Sequence, residues 1–179
     1  AVNGENLVAP NCLQCHAQVF NDSLILGMGN TFLDFSMGQQ MNPANMNKLA
    51  AMLKAAAPTK YEAAKHFMQV SATIGPYLQT AVRGVNAADR LAAVLVAHRD
   101  PKTLVWLDSA TMVIPAEVIP SDVPAWWLLK KKNAMFYTGF GRGDFGRFLM
   151  ASNLLTTTDS IEAANVDKQI SDVLAYLYT

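Results

Sequence analysis

The chain has 179 residues, 51% of them hydrophobic, and its 14 basic and 14 acidic residues balance to a formal net charge of zero. That is ample apolar material for a packed core, and it lacks the basic surplus with which a nucleic-acid binder displaces counterions. No apolar run approaches the ~20 residues that cross a bilayer as a helix.

The first predicted element is Cys12-Leu13-Gln14-Cys15-His16, a C-x-x-C-H stretch. It is the attachment signature of a c-type haem. On one helical turn, residues three and four apart face the same way. Cys12 and Cys15 are then placed to form thioethers to one porphyrin, with His16 as the proximal iron ligand. Other uses of the pair fit less well. A redox dithiol sits in a βαβ unit, and none is legible here. A zinc site needs a second ligand pair, but these are the chain's only two cysteines. A disulfide at this spacing is strained.

The helical turn is expected to end by Asn21 or Asp22, and residues 21–42 read as loop, punctuated by glycine, asparagine and aspartate. Within it, the glycine-spaced stretch 24–30 suits a backbone that lies against a haem edge. Asn42-Pro43 opens a helix, with Asn42 as cap and Pro43 in the first position. Pro58 ends it. Thr59 and Glu62 predict a capping box for the next helix, which runs to about Arg83-Gly84 with a kink at Gly75-Pro76. Asn86 is expected to cap a third, ending near His98 to Asp100. Residues 101–124 read as irregular, with a short extended piece at 111–114. A helix is expected over about 144–155, and the last over about 160–178, capped by Asp159 or Ser160.

The sixth ligand of the iron decides the chemistry, and the residues leave it open. His98, at the end of an apolar helix face, is the leading distal candidate, with His66 behind it. Met28, Met37, Met41, Met46, Met135 and Met150 are alternatives, as is an open position. Trp126-Trp127 are candidates to line the haem. Arg142 is a candidate partner for a haem propionate, in competition with Arg83, Arg90, Arg99 and Arg147. Lys130 to Lys132 read as a solvated face or a docking patch for an acidic redox partner. Gly141 to Gly146 match G-x-G-x-x-G, but without the strand and βαβ context that dinucleotide binding requires.

The terminal stretch 170–177 resembles the last helix of cytochrome c domains. That implies that it crosses the first helix beside the haem turn, with Tyr176 or Tyr178 in the join. A longer resemblance rests on Asn11 to Ala17, Ala97-His98-Arg99-Asp100-Pro101, Asp122 to Trp127, Lys131 to Tyr137 and Gly141-Arg142-Gly143-Asp144. These segments are similar to the N-terminal haem half of large bacterial multihaem c-type cytochromes, grouped loosely with dihaem peroxidase and rubber-oxygenase-like proteins. In those proteins a second C-x-x-C-H follows in a further domain, whereas these 179 residues hold one.

The expected fold is therefore mainly α: one cytochrome c-like helical domain over 1–179, with a large helical and loop insertion around one covalent haem. The haem turn is 12–16, the inserted helices about 43–100, the Pro/Trp/Gly-rich loops about 101–146 and the terminal helix about 160–178. The expected function is one-electron transfer by a c-type cytochrome, an electron carrier more than a catalyst on its own. The alternatives are the haem-bearing part of a peroxidase- or oxygenase-like enzyme with an open distal site, and a haem subunit of a larger electron-conducting assembly. The expected cofactor is one haem c. The expected partners are redox proteins, including another haem-bearing domain or subunit. Neither nucleic acid nor a membrane span is expected. Haem attachment of this kind and the small first residue, Ala1, point to a mature periplasmic or extracellular protein.

Overall fold

The computed structural model describes residues 2–8, 11–37, 42–135, 138–139 and 141–179. Helices dominate it, and the strands are short. Cys12–Gln14 form a single 3₁₀ turn. Strands β1 (Ala17–Phe20) and β2 (Ser23–Leu26) follow as an antiparallel hairpin. This corrects the expected helix end and loop. Asn21 and Asp22 take φ values of 48° and 58°, and positive φ at both central residues is what a two-residue I′ hairpin turn demands.

Helix α1 (Pro43–Ala56) begins where Asn42-Pro43 predicts, with the Asn42 side chain accepting from the Ala44 amide. Helix α2 (Pro58–Ile74) lacks the expected capping box. Ala57 is its cap, and the Thr59 hydroxyl donates instead to Glu5. Proline at the first helical position costs α2 nothing, because that N–H has no helical partner. The helix ends at Ile74, not Gly84, and Gly75–Tyr77 form a separate 3₁₀ turn. Helix α3 (Ala88–Ala97) starts after Ala87, and Asn86 caps from one residue further out by accepting from the Ala88 amide.

Residues 101–125 hold no strand or helix among those described, and the extended piece expected at 111–114 is absent. Trp126–Lys131 form a 3₁₀ turn that the sequence reading missed. Strands β3 (Ala134–Met135) and β4 (Gly141–Arg142) pair antiparallel. The expected helix over 144–155 divides into α4 (Phe145–Ala151) and a 3₁₀ turn (Ser152–Leu155). Helix α5 (Ser160–Tyr178) matches its predicted span. Its cap Asp159 accepts from the amides of Ile161 and Glu162.

The core sits where α2, α3 and the 152–155 turn meet. Val70, Ile74, Val94, Leu95 and Leu154 are buried there, with Tyr77, Leu91 and Trp106 packed around them. Arg99 ties these parts together. It is buried, and its guanidinium donates to the carbonyls of Leu104, Thr157 and Leu154 while lying 5.2 Å from the Trp106 ring centre. Helix α5 packs on α4, on the 126–131 turn and on the 152–155 turn. A Cβ on Gly146 would lie 3.2 Å from Leu174, so α4 and α5 touch closely at that point. The expected aromatic join is not formed, because Tyr176 and Tyr178 are exposed.

Candidate functional site

The C-x-x-C-H turn is built in three layers. The first is the turn itself. The Asn11 side chain accepts from the Leu13 amide, and the carbonyl of Cys12 accepts from the amides of Cys15 and His16. This brings the two thiols and the imidazole onto one compact loop, as the spacing predicts, but as a 3₁₀ turn and not the start of a long helix.

The second layer is Gly27–Asn30. The carbonyls of Gln14, Cys15 and His16 are taken in succession by the Asn30 side chain at 3.1 Å, the Asn30 amide at 2.8 Å and the Gly27 amide at 2.7 Å. The carbonyls of Cys12, Gln14, Cys15 and His16 thus all accept a hydrogen bond, which holds the loop in shape without a disulfide.

The third layer is Val123–Trp127. The Trp126 amide donates to the Gly27 carbonyl at 2.8 Å. A Cβ on Gly29 would fall 1.7 Å from the Val123 carbonyl oxygen, so only glycine permits this crossing. At Gly27 a Cβ would meet Trp126 at 3.4 Å and Trp127 at 3.6 Å, at a φ of +84°. The glycine-rich stretch thus lies against this chain's own 123–127 segment. The glycine-spaced stretch 24–30 was expected to make a close backbone approach; what the sequence did not show is that Val123 and Pro124 are what it approaches.

His16 is fixed by the third layer. Its Nδ1 lies 3.2 Å from the Pro124 carbonyl oxygen. A carbonyl only accepts, so Nδ1 carries the proton and Nε2 carries a lone pair. That is the division of labour seen in metal-ligating histidines. The ring also lies 5.1 Å from Trp126, tilted by 32°. Burial pushes the His16 pKa down, against a smaller upward pull from the Pro124 hydrogen bond, and so favours the neutral imidazole a metal needs. Burial also raises the Cys15 thiol, with a further rise from the neighbouring Cys12.

Beside this turn is an uncovered apolar surface. Val19 pairs with Leu24 and Ala17 with Leu26 across the hairpin, so these four side chains share one face. Val19, Leu24 and Leu26 are 58%, 64% and 50% exposed, and Trp127 is 47% exposed. A haem fits the donor set: two thiols for its vinyl groups, a free Nε2 for its iron and an apolar face for its ring.

The other predicted site residues lie elsewhere. His98 is buried, donates from Nδ1 to the Leu107 carbonyl at 2.8 Å, and stacks on Trp106 at 5.0 Å and 13°. His66 approaches the same indole edge-on and donates from Nε2 to the Thr157 carbonyl at 3.0 Å. Burial, and then the Arg99 charge, lower the His66 pKa. Among the described residues, no hydrogen bond or ring contact joins this Trp106 cluster to His16. Arg99 is committed to three carbonyls, and Arg142 is exposed with its Nε on the Gly139 carbonyl at 3.1 Å. Met28 sits between Gly27 and Gly29, half-buried beside the turn, whereas Met37 is exposed. Met41 lies outside the described residues. Among the described residues no cluster of three or more His, Cys, Asp or Glu forms a metal cage, and no helix is long and apolar enough to cross a membrane.

Comparison with family models, curated proteins and solved structures found no match to this chain. The reading of the site rests on its own residues.

Proposed function

We propose that this chain carries one covalent haem c at Cys12, Cys15 and His16 and works as a one-electron carrier. The observation that carries the reading is the His16–Pro124 hydrogen bond. It holds an imidazole directly after two thiols, in the tautomer that leaves Nε2 for a metal. When bound, the haem supplies an iron that cycles between the ferric and ferrous states.

The chain's residues do the rest. Cys12 and Cys15 anchor the ring by thioethers. Pro124 keeps a proton on Nδ1 of His16 and sets the ring's orientation, which raises its basicity as a ligand. Asn30 and Gly27 hold the turn rigid, so little of it rearranges when an electron arrives. The hairpin face excludes water from the ring edge, and a drier surround shifts the balance between the two iron charge states. The attachment chemistry keeps the proposal periplasmic or extracellular.

The test is expression with the c-type haem attachment machinery. Wild type should purify with a Soret band that survives acid–acetone extraction, and a Cys12→Ala/Cys15→Ala variant should lose it. Adding carbon monoxide to the ferrous protein then reads the sixth position. A six-coordinate iron indifferent to carbon monoxide supports electron transfer. Rapid carbon monoxide binding with a high-spin ferric spectrum would sink it. Wild type purified without covalent haem would remove the premise.

A further inference from the structure

From Val123 to Gly143 the chain contains no acidic residue and four basic ones, Lys130, Lys131, Lys132 and Arg142. In a chain of zero net charge this is a local concentration, and the fold gathers it. Lys130 and Lys131 close the 126–131 turn, and Lys132 follows as its cap. Arg142 stands opposite Ala134 in the β3–β4 ladder, two residues beyond Lys132 in register. All four are exposed. Among the described residues the ion pairs within 4 Å are Lys65–Glu62 and Arg147–Asp144, so no carboxylate neutralises this group.

The 126–131 turn is also held at both ends. Trp126 is pinned to Gly27 and lies against His16, as described above. At the other end Leu129 is buried, and the Lys130 ammonium donates to the Tyr178 carbonyl at 3.3 Å, on the negative end of the α5 dipole. A six-residue 3₁₀ turn spans roughly 12 Å. The basic group therefore stands a short, rigid distance from the haem-attachment turn. Between the two, Trp127 and Leu128 are 47% and 41% exposed. An apolar centre beside a charged rim is the anatomy of a transient electron-transfer contact: the centre excludes water and the rim steers.

We propose that Trp127 and Leu128, rimmed by Lys130, Lys131, Lys132 and Arg142, form the docking surface for a redox protein with an acidic face. This rests on the electron-carrier reading above and adds the partner's chemistry and the port of exit. Lys131, Lys132 and Arg142, exposed and without an ion pair among the described residues, argue for a protein acid cluster as occupant. With haem bound at the C-x-x-C-H turn, one electron would be lost by ferrous iron and gained by the acceptor's oxidised centre, and these residues would hold the acceptor in place with no proton or bond exchanged.

The test uses the reduced, haem-loaded protein in stopped flow with two oxidants: plastocyanin, an acidic copper protein, and the cationic tris-phenanthroline cobalt(III) complex. A Lys131→Glu/Lys132→Glu/Arg142→Glu variant is compared with Lys48→Glu/Lys60→Glu/Lys102→Glu, which changes the net charge equally at exposed sites elsewhere. At low salt the patch variant should react with plastocyanin about tenfold more slowly than wild type, and the gap should close at high salt. The control should slow less than threefold. The cobalt complex should react with the patch variant as fast as with wild type or faster, which shows an intact haem. Equal slowing in both variants, or no slowing in the patch variant, overturns the docking surface alone. A protein that takes up no haem overturns both this proposal and the reading beneath it.

Discussion

At Gly29 a hydrogen stands where any other residue would place a carbon 1.7 Å from the Val123 carbonyl oxygen. The 123–127 segment reaches His16 only by crossing the chain there. Gly29→Ala must push the two backbones apart, and overpacking of this kind costs about 1–3 kcal/mol. It should also lengthen the His16–Pro124 contact, since both depend on the same crossing. Gly143→Ala is the comparison: its φ is +89° with no atom within 4 Å, so it carries backbone strain alone, about 1–2 kcal/mol. Urea melts of the two variants should show comparable losses of stability. The haem content per chain should fall in Gly29→Ala and hold in Gly143→Ala. Equal haem content in both would mean that the crossing does not position His16.

Helix starts illustrate how local pattern and tertiary context divide. Asp159 and Thr59 both look like caps in sequence. Asp159 does cap α5, accepting from two amides, whereas the Thr59 hydroxyl is spent on Glu5. Asp159→Ala should therefore cost about 1 kcal/mol, and Thr59→Ala, an exposed change outside any cap, less than about 0.5 kcal/mol. Denaturant midpoints of the two variants check this, and the reverse order would put the helix starts in the wrong place. The hairpin teaches the same lesson from the other side. Asn21-Asp22 are residue types that tolerate the positive φ of an I′ turn, but the flanking residues 17–20 and 23–26 do not alternate apolar and polar, so no strand signal stands beside them.

The whole molecule exposes 11313 Å², against about 8,500 Å² expected for a folded monomer of this mass. Part of that surface is an apolar hairpin face next to the C-x-x-C-H turn. A surface of that kind is normally covered by a ligand or a partner. Protein lacking its haem, as in the Cys12→Ala/Cys15→Ala variant, should bind the dye ANS strongly and be cut by protease within residues 17–26. Haem-loaded protein should show weaker dye fluorescence and protection of the hairpin. Equal dye binding in the two forms would mean that the hairpin face does not seat the haem.

Elements whose signals are contiguous in the chain follow from local chemistry. Asn42-Pro43 sets the start of α1, Asp159 that of α5, and three residues of spacing place two thiols and an imidazole on one turn. These depend on capping, propensity and short-range geometry, which neighbouring residues decide among themselves. Tertiary structure alone decided what holds the site. Pro124 meets His16 across 108 positions, and Arg99 joins the end of α3 to carbonyls at Leu154 and Thr157. A carbonyl oxygen is present in every residue and leaves no mark in the sequence. Which one a buried donor finds is settled only when the core has packed.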